Sequence, residues 1–340
     1  PYYVEGTFSN INALTHTPAG VSRTPEFFRT WKGFQTLTRT EAIAIDRAAK
    51  QVRIRNLESG QEDDLPYDKL VLATGGRPFK PPIPGLDLKN VWFMTHPDDA
   101  ASLVAEIEHQ GLKKAVLVGA GFIGLEVAEA LINRGLEVTM VEMADQIMPG
   151  ILDEDIARLA QIHMDDNDVD LVLGETVTAL EGSDRVRTVI TDKGKIEADF
   201  VVIGVGTRPN DDLARAAGLR CDRGIAINEY CQTSDPDIYA GGDCVPNAYI
   251  HRQVGDPLYV PLGSTANKHG RVIANHIAGK PTPFSGITCS SVVRAFDYTL
   301  GRTGLTERMA RTLGLDYEVT TWNGPDIPGH LYTSPSPRDS

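Results

Sequence analysis

The chain has 340 residues, enough for two or three domains, and its 41% hydrophobic and 23% charged residues are typical of a globular protein. The formal charge of -13 argues against a nucleic-acid-binding surface and against binding to anionic membranes, and no apolar run approaches the roughly 20 residues that cross a bilayer. Four scattered cysteines, without metal-type pairs or a dense disulfide pattern, favour reduced thiols in a cytoplasmic protein.

The first predicted elements are short antiparallel strands that lead into a buried strand and a glycine turn. Runs at 44–46 and 52–54 read as strands, and a Ser-Gly turn follows at 59–60. The apolar run 70–72 then enters a turn with two glycines and continues into Arg77-Pro78. Such a turn can bring the backbone close to a ligand, although a simple left-handed turn has the same local sequence.

Capping residues mark two helix boundaries. The segment Thr95-His96-Pro97-Asp98 predicts a helix start, with Thr95 as the N-cap and an acid three residues later. Further along, a helical apolar stripe from 125 to 133 is predicted to end at Gly135.

The segment between these boundaries predicts a dinucleotide-binding turn. The apolar run 115–118 reads as a buried parallel strand, and it enters the sequence Gly-Ala-Gly-Phe-Ile-Gly at 119–124. Another strand is predicted at 136–141, and Glu142 stands at its end, 18 residues beyond the last glycine. Three glycines at this spacing are a weak signal alone, but a preceding strand, a following helix and an acid at this distance make the signal strong.

Each glycine of this turn has a physical role. Gly119 allows the tight turn, Gly121 lets a pyrophosphate approach the backbone, and Gly124 permits close packing of the helix on the strand. Unpaired N–H groups and the positive end of the helix dipole receive the phosphates. Glu142 can accept hydrogen bonds from both ribose hydroxyls and would repel a 2′-phosphate, and residues 143–146 offer no cation, so NADH is favoured over NADPH.

A second copy of the first pattern follows. Strand-like runs at 179–181 and 186–189, with a Lys-Gly turn at 193–194, lead to the apolar run 201–203 and then through Gly206 to Arg-Pro. Two domains of one type are therefore expected. A strand, glycine turn and helix precede the second copy but not the first, so the first copy's nucleotide-binding finger is expected to lie upstream of residue 1.

Four further motifs carry a resemblance to a known family, the pyridine nucleotide-disulfide oxidoreductases. They are the Tyr-Asp-Lys-Leu to Thr-Gly run at 67–75, Pro-Pro-Ile-Pro-Gly at 81–85, Ile-Tyr-Ala-Gly-Gly-Asp at 238–243, and Lys-His-Gly-Arg at 268–271. The resemblance runs from Pro1 to about His330, and it is closest to the group that holds coenzyme A-disulfide reductases, NADH oxidases, NADH peroxidases and persulfide reductases. It implies an α/β fold with two Rossmann-like three-layer dinucleotide-binding domains, as in glutathione reductase, and the start of an α+β dimerisation domain.

The resemblance also implies two sets of cofactor-binding residues. For FAD they are Thr74, Gly75, Gly242, Asp243, Gly263 and Ser264. For NAD they are Gly119, Gly121, Phe122, Ile123, Gly124, Glu126, Glu142 and Gly206. Phe122 is the implied gate that covers the flavin where nicotinamide stacks, and Glu126 the implied contact to the nicotinamide amide. As bare patterns, Phe122 reads equally as a core residue, Glu126 as an exposed helix residue and Asp243 as a helix N-cap.

The reactive cysteine of this group is expected outside the chain. Pro1-Tyr2-Tyr3 looks like the stretch after a redox cysteine, which places that cysteine three residues upstream of Pro1. None of the four cysteines present can take its place on spacing alone, and Cys244 reads as buried packing. The implied reaction takes hydride from NADH and passes electrons through FAD to a cysteine-linked acceptor, with oxygen, peroxide, disulfide and persulfide all left open.

The predicted organisation is an FAD-binding domain at 1–96 and 230–284, an NAD-binding domain at 97–229, and part of a dimerisation domain at 285–330. A homodimer and a small-molecule substrate are expected. The polar tail 331–340 is expected to be disordered or foreign to the protein. Two alternatives stay open: a ferredoxin- or rubredoxin-type NADH reductase without a redox cysteine, and an NADH-binding fragment without activity.

Overall fold

In the computed structural model, which describes residues 2–8, 15–250 and 257–323, the chain forms seventeen strands and eight α-helices. Strands β1 to β17 are, in order, Thr40–Asp46, Gln51–Asn56, Glu62–Pro66, Leu70–Leu72, Gly76–Pro78, Val91–Phe93, Lys114–Val118, Glu137–Glu142, Val169–Leu173, Val177–Glu181, Thr188–Thr191, Lys195–Glu197, Phe200–Ile203, Thr207–Pro209, Ile238–Ala240, Ser291–Ala295 and Tyr298–Arg302. Helices α1 to α8 are Tyr2–Glu5, Pro25–Phe27, Pro97–Gln110, Phe122–Ile132, Glu154–Asp165, Asp212–Ala216, Gly263–Ile277 and Glu307–Thr312, and a π-helical turn at Phe28–Lys32 follows α2. The predicted tail at 331–340 lies outside the described residues.

The largest sheet of the described residues is parallel, with its five strands in the order β6-β13-β7-β8-β9. β7 carries four consecutive buried residues, as expected for a strand that is covered on both faces. It pairs with β8 in a register that places Val118 opposite Val141. The two strands of the predicted glycine motif therefore lie side by side, and their carboxyl ends meet at one edge of the sheet, where ligands bind in such folds.

Helices cover one face of this sheet and an antiparallel meander covers the other. Leu117 and Val202 belong to the same hydrophobic cluster as Leu131 of α4, and their neighbours Val116 and Val201 belong to the cluster of the meander β10-β11-β12. Alternate residues of a strand point to opposite faces, so a fully apolar strand fills both clusters. The predicted three-layer arrangement is present in this part of the chain, called here the five-stranded unit.

The predicted internal repeat is confirmed by the sheet topology. The meander β1-β2-β3 matches the meander β10-β11-β12 of the five-stranded unit. In the first copy, β4 pairs in parallel with β15, which returns from far along the chain, with Leu72 opposite Ala240. This parallel pair and the meander β1-β2-β3 form the smaller unit.

The two copies of the repeat meet at their own Arg-Pro segments. β5 and β14 pair in antiparallel fashion, with Gly76 opposite Pro209 and Arg77 opposite Arg208. Because each strand follows the equivalent buried strand of its copy, this pairing joins the smaller unit to the five-stranded unit through equivalent residues.

Of the two helix boundaries predicted from the sequence, the start of α3 differs in the structure and the end of α4 agrees. The N-cap of α3 is His96 rather than Thr95: its Nδ1 accepts the N–H of Asp98 (3.2 Å), and Asp99 accepts the N–H of His96 (2.7 Å). The reason is Pro97, which fits the first helical position and places the cap one residue later than predicted. α4 ends as expected, since Gly135 takes a left-handed conformation and donates to Ile132 O (2.7 Å).

Both ends of the described chain pack on the five-stranded unit. Val4 of α1 is completely buried in the helix-side cluster, which also takes in Val293 of the hairpin β16-β17. Two contacts join the end of the hairpin and the start of α8 to the loop before α5. Arg302 of β17 donates to Gly150 O (2.7 Å), and the Glu307 N–H donates to the Asp153 carboxylate (2.7 Å). The domain boundaries assigned from the sequence remain predictions.

Candidate dinucleotide-binding sites

The three glycines after β7 have different environments. A Cβ at Gly119 would lie 2.7 Å from Gly204 O, and one at Gly124 would lie 2.2 Å from Gly119 O. At both positions another part of the backbone occupies the space. A Cβ at Gly121 would meet nothing within 4 Å, so the backbone there faces open space at the N-terminus of α4. The packing roles predicted for Gly119 and Gly124 agree with these contacts, and the role of Gly121 in ligand approach stays a prediction.

Glu142 lies beside this turn and organises it. Its side chain is 8% exposed, and its Oε2 accepts the N–H of Ala120 (2.8 Å) while its Oε1 accepts the N–H of Ala144 (3.0 Å). The N–H of Met148 donates to Ala120 O (2.8 Å), so Ala120 is held at both of its backbone polar groups. Each carboxylate oxygen keeps a further lone pair for a ribose hydroxyl. The acid predicted to select NADH therefore also fixes the turn.

Of the other predicted nicotinamide residues, Phe122, Ile123 and Glu126 lie on the first turns of α4, and Gly206 precedes β14. Phe122 and Ile123 are partly buried and pack against the helix-side cluster, and Gly206 has a φ of +97° with open space where a Cβ would be. Glu126 lines a cleft of about 460 Å³ together with Tyr2 and groups from the first strand of the hairpin. Burial raises the pKa of Glu126 above its usual range. Its environment is thus a half-enclosed cleft rather than an exposed helix surface.

Four of the six predicted flavin residues line a single second cleft. Gly75, Gly242, Asp243 and Gly263 border a space of about 330 Å³ between β4, β15 and α7. Burial raises the pKa of the Asp243 carboxyl. Gly75 and Gly242 have φ angles of +66° and +80°, in the left-handed region where glycine is strongly favoured.

The two remaining predicted flavin residues lie differently. Ser264 is exposed on the first turn of α7 and is not among the residues that line this cleft. Thr74 adjoins the cleft, but its hydroxyl donates to Asn210 O (2.5 Å), and its carbonyl accepts from Asn210 Nδ2 (2.9 Å). Thr74 is therefore held by Asn210, which follows β14 of the five-stranded unit, and its contact to a ligand stays a prediction.

Sequence reasoning missed the contacts of three residues that support the second cleft. Asn210 also donates its N–H to Gly75 O (2.9 Å). The Tyr259 hydroxyl donates to Asp243 O (3.0 Å), and Nδ1 of His269 accepts the N–H of Gly242 (3.1 Å). The repeat contains one signal for Asn210. The residue after Arg-Pro is Asn in the second copy, whereas it is Phe in the first copy. Tyr259 lies outside the predicted motifs. His269 belongs to the Lys-His-Gly-Arg motif at 268–271, which did not indicate a contact to Gly242.

The cysteines have the environment of packed thiols. All four are free, and only Cys221 is more than slightly exposed. The Cys244 thiol donates to Gly241 O (3.3 Å), and burial raises the pKa of Cys231 to about 12. Within the described ranges, no group of three or more potential ligands is arranged to hold a metal ion, and no helix has both the length and the apolar character to span a bilayer.

A glycine turn between two parallel strands, an acid at the end of the second strand, and a second glycine cleft built by a repeated unit together define an α/β dinucleotide-binding protein. Residues 5–270 match the family described as pyridine nucleotide-disulphide oxidoreductase. The chain belongs to this family. The predicted family and fold class are thereby confirmed.

Similar proteins include enzymes that use NADH or NAD(P)H. An NADH oxidase from Methanocaldococcus jannaschii is 36% identical over 307 residues, which are 90% of this chain and 66% of that protein. A CoA-dependent NAD(P)H sulfur oxidoreductase from Pyrococcus abyssi is 36% identical over 318 residues, 93% of this chain and 68% of that protein. Among solved structures, an NAD-dependent persulfide reductase from A. fulgidus superimposes with a TM-score of 0.90 at 40% identity, covering 93% of this chain and 58% of that one.

The chain thus spans about two thirds of the length of these curated relatives and somewhat less of the persulfide reductase. The glycine turn and all of the predicted cofactor-binding residues, from Thr74 to Ser264, fall inside the matched region.

Proposed function

We propose that the chain binds NADH at the turn after β7 and FAD at the cleft between β4, β15 and α7, and that it belongs to an NADH-dependent flavoprotein that reduces a cysteine-linked acceptor. The observation that carries the proposal is the open backbone at Gly121, at the N-terminus of α4 and next to the buried carboxylate of Glu142. A purely structural turn has no need of uncovered backbone at this point, whereas a pyrophosphate does.

The dinucleotide fits the groups on this turn. The first N–H groups of α4 have no partner within the helix, so they can donate to the phosphates. Glu142, already fixed by two backbone N–H groups, meets the ribose diol with a carboxylate that needs little reordering. No lysine or arginine occurs at 143–146 to neutralise a 2′-phosphate, which supports NADH as the preferred donor.

The second cleft fits part of a flavin dinucleotide. Glycine backbone at 75 and 242 offers close approach, and the Asp243 carboxylate can accept hydrogen bonds from a polyhydroxyl chain. When bound, FAD supplies the two-electron chemistry that links NADH to the acceptor. Phe122 would cover the reacting face, and Glu126, whose pKa is raised by burial, would bind the nicotinamide amide from its cleft. Gly206 would border the nicotinamide half of the dinucleotide.

The acceptor and the assembly are also part of the proposal. Relatives named as a CoA-dependent sulfur oxidoreductase and a persulfide reductase support a sulfur compound as the acceptor, and relatives named as NADH oxidases support oxygen as the other candidate. We place the protein in the cytoplasm as a homodimer, because four free cysteines fit a reducing compartment and the hairpin β16-β17 matches the predicted start of a dimerisation domain.

The test is a titration of the purified chain with NADH, NADPH and FAD, followed by anaerobic addition of NADH to the FAD-loaded protein. We expect NADH to bind at least about tenfold more tightly than NADPH, which corresponds to about 1.4 kcal/mol. We expect the bound flavin's visible absorbance to decrease when NADH is added. Equal affinity for NADPH would contradict the role of Glu142, and a chain that binds NADH but not FAD would restrict the proposal to the nucleotide turn.

A further inference from the structure

α7 packs directly against the turn that bears Asp243. A Cβ at Gly241 would lie 2.9 Å from the Cβ of His269 and 3.0 Å from Cδ1 of Ile273, so only glycine fits there. The next residue, Gly242, takes a left-handed conformation and donates its N–H to Nδ1 of His269 (3.1 Å). On the other side of the turn, the Tyr259 hydroxyl donates to Asp243 O (3.0 Å). The turn is therefore held from two sides.

The hydrogen bond from Gly242 determines the state of the imidazole. Nδ1 can accept only when it carries a lone pair, so the ring is neutral and its proton is on Nε2. The side chain of His269 is 1% exposed, and its ring packs edge to face against Phe284 with the centroids 4.6 Å apart. Burial lowers the pKa of His269 to about 4, which is consistent with a neutral ring.

The same geometry leaves a polar atom without a partner. Nε2 of His269 is buried and has no hydrogen-bond partner among the described residues. A buried N–H without a partner destabilises the folded state, and an apolar side chain of similar size would avoid that cost. The hydrogen bond on the opposite side of the ring supplies the reason for a histidine at this position.

We propose that His269 is a positioning residue whose neutral Nδ1 fixes the Gly242–Asp243 turn and thereby aims the Asp243 carboxylate into the adjoining cleft. The effect of His269 on the orientation of the turn does not depend on a ligand, whereas its effect on flavin binding rests on the function proposed above. His269 itself does not line the cleft, so it acts through Gly242 rather than by touching the cofactor.

The first test needs no substitution. Long-range proton–nitrogen correlation spectra of the nitrogen-15-labelled chain at pH 7 should show His269 with a protonated Nε2 and an unprotonated Nδ1. The Gly242 amide should exchange slowly with solvent. A proton on Nδ1, or an imidazolium at pH 7, would overturn the inference at once.

Three variants then separate positioning from simple packing. The amide oxygen of Asn lies as many bonds from Cα as Nδ1 of His, and that of Gln lies one bond further. His269→Asn should therefore keep the Gly242 amide protected, whereas His269→Gln and His269→Phe should accelerate its exchange by about tenfold, the worth of one hydrogen bond. A role in filling volume would reverse this order, with Phe the best substitute and Asn the worst, and that result would refute the proposal.

FAD affinity gives the second readout, and NADH affinity the folding control. His269→Phe should weaken FAD binding by about tenfold relative to the parent chain and to His269→Asn, with NADH binding unchanged in all three proteins. FAD affinity that is equal in the Phe and Asn variants would overturn the link between the turn and the cofactor. If the parent chain binds no FAD, the flavin function fails, and the tautomer and exchange data still decide the role of His269.

Discussion

Substitution of Gly121 and Gly124 by alanine separates ligand approach from packing within a single turn. At Gly121 the added methyl meets nothing within 4 Å, and its φ of -89° is open to any residue. Loss of glycine at an N-cap costs at most about 1 kcal/mol. The Gly121→Ala chain should therefore fold with nearly the parent stability, while the methyl stands where the pyrophosphate approaches.

At Gly124 the opposite is expected. The methyl would lie 2.2 Å from Gly119 O, more than 1 Å inside ordinary contact, so the helix and the turn must separate. Overpacking of this kind costs about 1–3 kcal/mol, or a decrease in Tm of about 3–10 °C for a domain of this size. The N-terminus of α4 moves with it, so NADH affinity also falls.

The assays are thermal unfolding followed by circular dichroism, and NADH titration followed by fluorescence. Gly121→Ala should weaken NADH binding by at least about tenfold, or 1.4 kcal/mol, with a Tm within about 3 °C of the parent. Parent-like NADH affinity in Gly121→Ala would refute the assignment of the open backbone to a pyrophosphate. A parent-like Tm in Gly124→Ala would refute the packing argument.

Three further outcomes follow from individual side chains. Glu142→Gln should lose the preference for NADH over NADPH while staying folded. Glu142→Ala should in addition lower the free energy of unfolding by about 1–3 kcal/mol, because the buried Ala120 N–H loses its acceptor. The affinities for NADH and NADPH and the Tm of each variant test this. The pKa of His269 is lowered from 6.5 to about 4, so the unfolded chain binds more protons than the folded chain between these pH values. The free energy of unfolding should therefore fall by about 3 kcal/mol as the pH drops through this window. Denaturant titrations should show that this decrease is missing in His269→Phe. At pH 8 Ellman's reagent should leave Cys231 and Cys244 unmodified until denaturant is added, since Cys231 has a pKa of about 12 and Cys244 is fully buried. Rapid reaction of either thiol in the native chain would contradict this.

The sequence was a good guide wherever one local pattern determines the structure. The strand, glycine turn and helix at 115–133 could be predicted because turn geometry and phosphate binding both require glycine at fixed spacing. The repeat was visible because both copies keep an apolar strand followed by glycine and Arg-Pro. The start of α3 was misplaced by one residue because His96, an uncommon N-cap, uses its ring nitrogen where a hydroxyl was expected.

The supporting contacts of the second cleft could not be predicted because they join distant segments. Thr74 and Asn210 are 136 residues apart, and Gly242 and His269 are 27 apart on different elements. Nothing in the local sequence of either partner records such a bond. The resemblance to a family supplied the candidates for flavin contact, but it did not say that the Thr74 hydroxyl binds Asn210 or that an imidazole holds the turn.

The pairing of β5 with β14 has the geometry of an isologous dimer interface enclosed within one chain. Equivalent residues face each other across a local twofold axis, as the same patch does in a symmetric homodimer. Strict symmetry would place two guanidinium groups in opposition, at Arg77 and Arg208. The two arginines instead have different partners: Arg77 forms an ion pair with Asp212 (2.5 Å), and Arg208 lies over the ring of Phe79 at 4.2 Å. The backbone pairing of the junction is therefore symmetric, while the side-chain contacts on its two halves are not.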